Sequence, residues 1–294
     1  MFSPTGQLVR TIGREGSGPG EFRYPVRIWL SRDTLLVIDL DRASYFDTTG
    51  LFIRSEPAVA AVPRGQFEDG SLLFVVFAAG EAVFDLGYSR TRQAIVRGSL
   101  DRSLADTIAV VSGDEVYRLS VSGGGVASYP APIGHARLVS IHGSSVFTGD
   151  GSVFEVRQLD QQGTLLRIMR RPGEAPPVSR STVREFEQAR LESAQTDRQR
   201  QRLNQLFFEW EYPATQPLYD QLFVDHGANV WVRHFAIMQE EAARWTVFDR
   251  SGRWLGELLL PSRLIIKDIG EDYVIGVWED EMGVESVRIY SITK

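Results

Sequence analysis

The sequence predicts an all-β fold, a β-propeller of four-stranded antiparallel blades, and three observations predict it. First, a strand, turn, strand phrase recurs: Phe2-Ser3-Pro4-Thr5-Gly6-Gln7-Leu8-Val9, Tyr45-Phe46-Asp47-Thr48-Thr49-Gly50-Leu51-Phe52, Gln158-Leu159-Asp160-Gln161-Gln162-Gly163-Thr164-Leu165 and Val247-Phe248-Asp249-Arg250-Ser251-Gly252-Arg253-Trp254. Second, its glycines at 6, 50, 163 and 252 are separated by 44, 113 and 89 residues. Those gaps are one repeat, two long repeats, and one repeat with an insertion of roughly 45 residues. Third, the phrases are joined by short β-branched and aromatic runs bounded by Gly, Asp or Ser, as strands are.

Within each phrase an apolar residue ends one strand, Asp or Ser opens the turn, and Gly takes the positive φ of a hairpin. A degenerate fifth copy, Leu100-Asp101-Arg102-Ser103-Leu104, falls in the longest gap. The runs Leu35-Leu36-Val37-Ile38-Asp39, Leu72-Leu73-Phe74-Val75-Val76-Phe77, Asn229-Val230-Trp231-Val232-Arg233-His234-Phe235 and Tyr273-Val274-Ile275-Gly276-Val277-Trp278 are apolar almost throughout. Unbroken runs suit strands covered on both faces, so each blade needs its neighbours. Five units follow: 22–60, 64–112, 130–172, 214–261 and 262–294. One propeller domain therefore spans 1–172 and 214–294, interrupted at 173–213.

That interruption begins at the proline-rich Arg171-Pro172-Gly173-Glu174-Ala175-Pro176-Pro177 and then changes period from strand to helix. Thr182 and Glu185 have capping-box spacing. Val183, Phe186, Leu203, Leu206, Phe207 and Trp210 supply apolar helical positions, which predicts a helical hairpin over 182–194 and 199–210. Its six arginines are matched by six acids, a balance that fits a solvated face. It is either a lid over one rim or a decoration that packs Phe207 and Trp210 on the propeller.

Composition narrows the partners. The chain has 294 residues, is 43% hydrophobic and carries a formal net charge of −6, which speaks against nucleic acid or an anionic membrane surface as a general partner. It contains no cysteine, so disulfides, thiolate metal ligands and cysteine nucleophiles are absent. No run approaches the roughly 18 apolar residues of a membrane helix. The beginning Met-Phe-Ser-Pro-Thr-Gly lacks the basic and apolar regions of a signal peptide.

Candidate chemistry is sparse. The run Gly13 to Gly20 lacks the Lys-Ser/Thr that a phosphate loop needs, and a turn between blades accounts for it. The histidines are His135, His142, His226 and His234, none at metal-ligand spacing to another. Trp231, Arg233 and His234 form the leading candidate binding group, a polar and aromatic set on one strand, although alternation puts His234 on the opposite face from the other two. Asp39 with Asp41, and Glu279, Asp280, Glu281 and Glu285, are acid groups that would suit calcium if brought to a channel; as turn and strand-end charges they need no metal. No catalytic residue, metal ligand or cofactor is assigned.

Thr11-Ile12-Gly13-Arg14-Glu15-Gly16-Ser17-Gly18-Pro19-Gly20-Glu21-Phe22 and the strand after it resemble the repeat of NHL-type propellers. The stretch from Trp245 through Leu260-Pro261 to Glu285 is similar to bacterial six-bladed propellers of that class. Where such repeats carry Asn-Arg-Ile, this chain has Arg42-Ala43-Ser44. The resemblance implies six blades and an exported protein of the periplasm or cell exterior. Five units against six implies a further blade upstream and an incomplete N-terminus; the rival expectation is a five-bladed ring in which residues 7–13 supply the fourth strand of the last unit. The expected function is a noncatalytic scaffold binding a protein, peptide or glycan at its rim or channel. The alternative is a lactonase-like hydrolase or lyase with a channel-centred metal.

Overall fold

The computed structural model describes residues 1, 3, 7–31, 33–39, 42–58, 62–81, 85–100, 106–121, 124–238, 241–280 and 282–292. They form five antiparallel sheets, each in simple up-and-down order. The first comprises β1 (Arg27–Ser31), β2 (Thr34–Ile38), β3 (Arg42–Asp47) and β4 (Phe52–Pro57). The second comprises β5 (Gly65–Gln66), β6 (Leu72–Phe77), β7 (Gly87–Gly98), β8 (Asp106–Val121) and β9 (Gly125–Pro130). The third is β10 (Leu138–His142), β11 (Ser145–Gly149), β12 (Glu155–Leu159) and β13 (Leu165–Arg170). After the helices α1 (Arg180–Glu192) and α2 (Asp197–Glu209) comes the fourth sheet, β14 (Tyr219–Val224), β15 (Val230–His234), β16 (Ala242–Phe248) and β17 (Trp254–Pro261). The fifth has β18 (Leu264–Ile269), β19 (Tyr273–Glu279) and β20 (Glu285–Ser291).

The repeated turns share one construction. Asp160 Oδ1 accepts the backbone N–H groups of Gln162 at 2.9 Å and Thr164 at 2.8 Å. Asp249 does the same to Ser251 and Arg253, and Asp280 to Met282 and Val284. The glycine that follows takes positive φ in each: 84° at Gly163, 84° at Gly252 and 78° at Gly283. Asp280 thus belongs to one more copy of the recurring turn, its carboxylate occupied by the backbone. The degenerate copy at 101–104 lies outside the described residues.

Sheet stacking makes the core. Leu36 and Ile38 meet Leu72 and Phe74 between sheets one and two; Leu73 and Ile95 meet Val146 and Leu159 between two and three. Phe147 and Val156 meet Tyr219 and Val232 between three and four, and Trp231 and Trp245 meet Leu264 and Val274 between four and five. No such cluster joins sheet five to sheet one among the described residues. Ile265, Val287 and Ile289 remain 51%, 65% and 59% exposed on sheet five, as do Ile28 and Leu30, at 62% and 67%, on sheet one. Residues 7–13 do not pair with β20 among the described residues: Val9 N–H bonds Met1 O, and the segment beyond covers sheet one, where Phe22 stacks on Phe46 at 5.6 Å.

Two local expectations change. The second unit runs on to Pro130 because β7 and β8 overshoot the sheet and recruit β9. The capping box of α1 is closed by Ser179, with Thr182 as its third helical residue instead of its cap, because Ser179 is still extended (φ −87°, ψ 169°) after the prolines. Both helices start two residues before the expected positions, α2 capped by Thr196 as α1 is by Ser179.

Candidate functional site: the channel mouth

In each sheet the first strand is an edge strand, and close contacts join β1 to β5, β5 to β10 and β10 to β14. These innermost strands therefore line the axis, and their first residues gather at one mouth. Arginine stands at that head in four sheets: Arg27 opens β1, and Arg64, Arg137 and Arg263 immediately precede β5, β10 and β18. In the fourth sheet the place is taken by Tyr219-Asp220 at the start of β14. A cavity of about 290 Å³ lies among these heads, lined by Arg64, Arg137, Asp220, Gln221, Phe223 and Ile265 with their neighbours.

The charges are not equivalent. Asp220 is gripped by Arg233 at the end of β15, Nε to Oδ1 and Nη2 to Oδ2, both at 2.7 Å. Gln221, its amide oxygen turned to the guanidinium, accepts from Arg233 at 3.0 Å. Such a bidentate pair leaves Arg233 little capacity for anything else. Arg137 has a side chain only 9% exposed, and its nearest carboxylate, Asp114, stands 3.8 Å away. Its Nη1 donates to Gln93, while its Nε is buried with no hydrogen-bond partner among the described residues. Burial pulls the Arg137 pKa down, with Arg64 adding repulsion and Asp114 opposing both. Arg64 makes no salt bridge among the described residues.

Beside the mouth stands a buried polar network. Glu115 Oε2 accepts the His135 backbone N–H at 2.7 Å and meets His135 Nδ1 at 3.0 Å, while Arg90 joins Glu115 Oε1 at 3.7 Å to Asp150 at 2.9 Å. Burial would raise the Glu115 pKa, but hydrogen bonds from His135 and Tyr88 outweigh it and hold the carboxyl at about 2. His135 Nε2 is buried without a hydrogen-bond partner among the described residues. The network fastens the overshoot of β7 and β8 to the third sheet. On that overshoot sits the helical hairpin: Tyr117 donates to Glu209 O at 2.5 Å and Arg202 to Tyr129 at 2.8 Å.

The structure does not bring Trp231, Arg233 and His234 together. Trp231 is 2% exposed within the core between sheets four and five, its indole N–H donating to Asp225 at 3.0 Å. Arg233 is at the mouth, and His234, on the other face as alternation requires, bonds Thr246 at 2.9 Å beside the Phe154 ring. Burial pushes the His234 pKa down, against the pull of Glu257. A second cavity of about 390 Å³ adjoins Asp220, Arg233, His234, Met238 and Arg244.

Of the described acids, Glu279 lies opposite Glu285 across β19 and β20, and Asp280 is taken up by its own turn. Asp39 is buried and accepts the N–H groups of Arg23 and Tyr24 at 2.9 and 2.8 Å; Asp41 and Glu281 lie outside the described residues. His226 pairs with Asp268 at 3.0 Å on the surface. Among the described residues no three His, Asp or Glu side chains converge as metal ligands. The Gly13 to Gly20 run is closed by Glu21, which accepts from Gly18 N–H and Arg14, both at 2.7 Å, and sets a carboxylate into the turn where a phosphate would need donors.

Sequence reasoning missed Arg64 and Arg137. Their signal was positional: an arginine heading the innermost strand of successive blades, visible once blade boundaries are aligned.

No known family model matches this chain, and no curated protein matches it. Among solved structures, one similar to it is a protein of Bacteroides fragilis described as exported, at 15% identity and TM-score 0.49 over 95% of this chain and 73% of that one. Another is a DUF4221 family member from Bacteroides vulgatus, at 11% identity and TM-score 0.47 over 98% and 84%. The WD40 domain of SCAP from fission yeast matches at 7% identity and TM-score 0.32 over 93% and 78%. The propeller assignment itself stands on the sheet order and the stacked clusters. Among the described residues no helix is long and apolar enough to cross a membrane.

Proposed function

We propose that this chain is a noncatalytic binding propeller that takes a protein, peptide or glycan at its channel mouth. The observation that carries this is the mouth itself: a concave cavity bounded by four sheets, with Arg64, Arg137, Asp220 and Gln221 as its polar groups among apolar walls. Concave sites with a few convergent polar groups at element junctions are where ligands bind. Trp231 acts here as a core residue, and Arg233 and His234 as the walls of the adjoining cavity. The narrower assignment, a six-bladed ring of the NHL-repeat kind exported to the cell envelope, is supported by the 11–22 motif and its resemblance.

The test is a panel of immobilised peptides and glycans probed with the purified protein, run beside elemental analysis and assays on lactones and esters. Saturable binding of one ligand class without turnover is the expected result. Stoichiometric calcium or zinc accompanied by turnover would replace this reading with the hydrolase or lyase alternative.

A further inference from the structure

We propose that the channel mouth is a receptor for the carboxylates of an acidic peptide segment, held by Arg64 and Arg137; this rests on the binding function proposed above. The argument begins with charge placement. A chain of net charge −6 sets arginine at the head of four of its five innermost strands, Arg27, Arg64, Arg137 and Arg263. Random scatter of surface charge has no reason to repeat at one structural position around an axis. Two of the four, Arg64 and Arg137, line one cavity, whose low-dielectric walls strengthen their field.

The acids around this mouth are already engaged. Asp220 is clasped by Arg233, Asp150 by Arg90 and Ser152, and Glu155 by Arg157 and Arg170. Arg137 donates through Nη1 to the neutral Gln93, and only Asp114, at 3.8 Å and 43% exposed, brings it a counter-charge. Keeping a guanidinium nine-tenths buried with so distant a counter-charge costs stability, and an incoming carboxylate would offset it. Arg64 lines the same cavity and adds to the repulsion that Arg137 feels. One carboxylate between them relieves both.

The walls choose a peptide over an acidic sugar. Sugars stack on open aromatic faces, and the one aromatic ring lining this cavity, Phe223, is packed on Trp245 at 6.0 Å. The remaining apolar lining is aliphatic, including Val75, Leu138, Leu222 and Ile265. The innermost strands also keep one edge unpaired within their sheets, which offers main-chain donors and acceptors to a polypeptide. Apolar contacts with flanking residues and charge-assisted bonds to Asp or Glu are what this surface provides.

The experiment titrates the full chain with a blocked hexapeptide of alternating Glu and Ala, its Gln-for-Glu counterpart, and a trigalacturonate. The Glu peptide is expected to bind at least about tenfold more tightly than the Gln peptide at low salt. That difference should shrink as ionic strength rises and disappear in Arg64→Gln with Arg137→Gln. Arg64→Gln alone, at an exposed position, provides the same direction of change should the double variant fold poorly, and Arg253→Gln on a distant turn should change nothing. Equal binding of both peptides overturns the arginine assignment while leaving a binding propeller intact. Preference for the trigalacturonate overturns the peptide assignment, and failure of all three to bind overturns the proposal.

Discussion

Arg233 holds Asp220 through two parallel hydrogen bonds of 2.7 Å, and this clasp leaves the fourth sheet neutral at a mouth where the other four sheets present arginine. Asp220→Asn removes the charge and keeps the shape, releasing Arg233 into the cavity. The Glu-Ala peptide should then bind roughly two- to fivefold more tightly, the amount a partly exposed ion pair carries. Titration calorimetry checks it, and unchanged or weaker binding would place Arg233 outside the recognition surface.

Glu115 gives the fold a pH dependence with a definite sign. Its folded pKa, about 2, lies below the ordinary 4.5, so the unfolded chain takes up its proton first as pH falls. The stabilisation is fully present above 4.5 and is lost between 4.5 and about 2. Glu115→Gln should cost about 3 kcal/mol at neutral pH, the cost of breaking a buried pair from one side. The gap between the variant and the parent should narrow through that acid window in urea melts, and a constant gap would contradict the assignment.

Two turn glycines share a conformation and differ in their surroundings. Gly70 has φ 86° with open space around a would-be Cβ, whereas Gly163 has φ 84° and a Cβ there would lie 2.1 Å from the carbonyl oxygen of Ile108 in the second sheet. Gly70→Ala should cost about 1 kcal/mol through backbone strain alone. Gly163→Ala should cost about 2–4 kcal/mol, because the turn must also pull away from its neighbouring sheet. Equal losses in chemical denaturation would mean that this sheet contact carries no stability.

The helical hairpin hangs from a closed neck. Val178 N–H bonds Ala214 O at 3.0 Å, and Gln216 N–H bonds Pro176 O at 2.8 Å. Replacing residues 179–213 with a two-residue Asn-Gly turn should leave the β-sheet circular dichroism in place and lower the melting temperature by roughly 2–4 °C per kcal/mol of lost contact at Tyr117, Arg202 and Leu206. Loss of the cooperative transition would show that the hairpin belongs to the core.

Local chemistry was legible along the chain. Asp and Gly at fixed offsets dictate a turn wherever they occur, and unbroken apolar runs dictate strands buried on both faces, so the recurring turns at 47–50, 160–163 and 249–252 and the sheets around them followed from sequence alone. The helices did as well, each displaced by two residues because its cap is Ser179 or Thr196, extended residues ahead of the expected starts. Trp231, Arg233 and His234 are neighbours in sequence; alternation already set His234 on the other face, and tertiary structure parted the remaining two, sealing Trp231 between two sheets and leaving Arg233 to clasp an acid at the mouth. Arg64 and Arg137, 73 positions apart, become neighbours only when successive strands come to rest around one axis. Periodicity encodes which residues are buried; which charged residues meet depends on how whole sheets stack, and no local pattern records that distance.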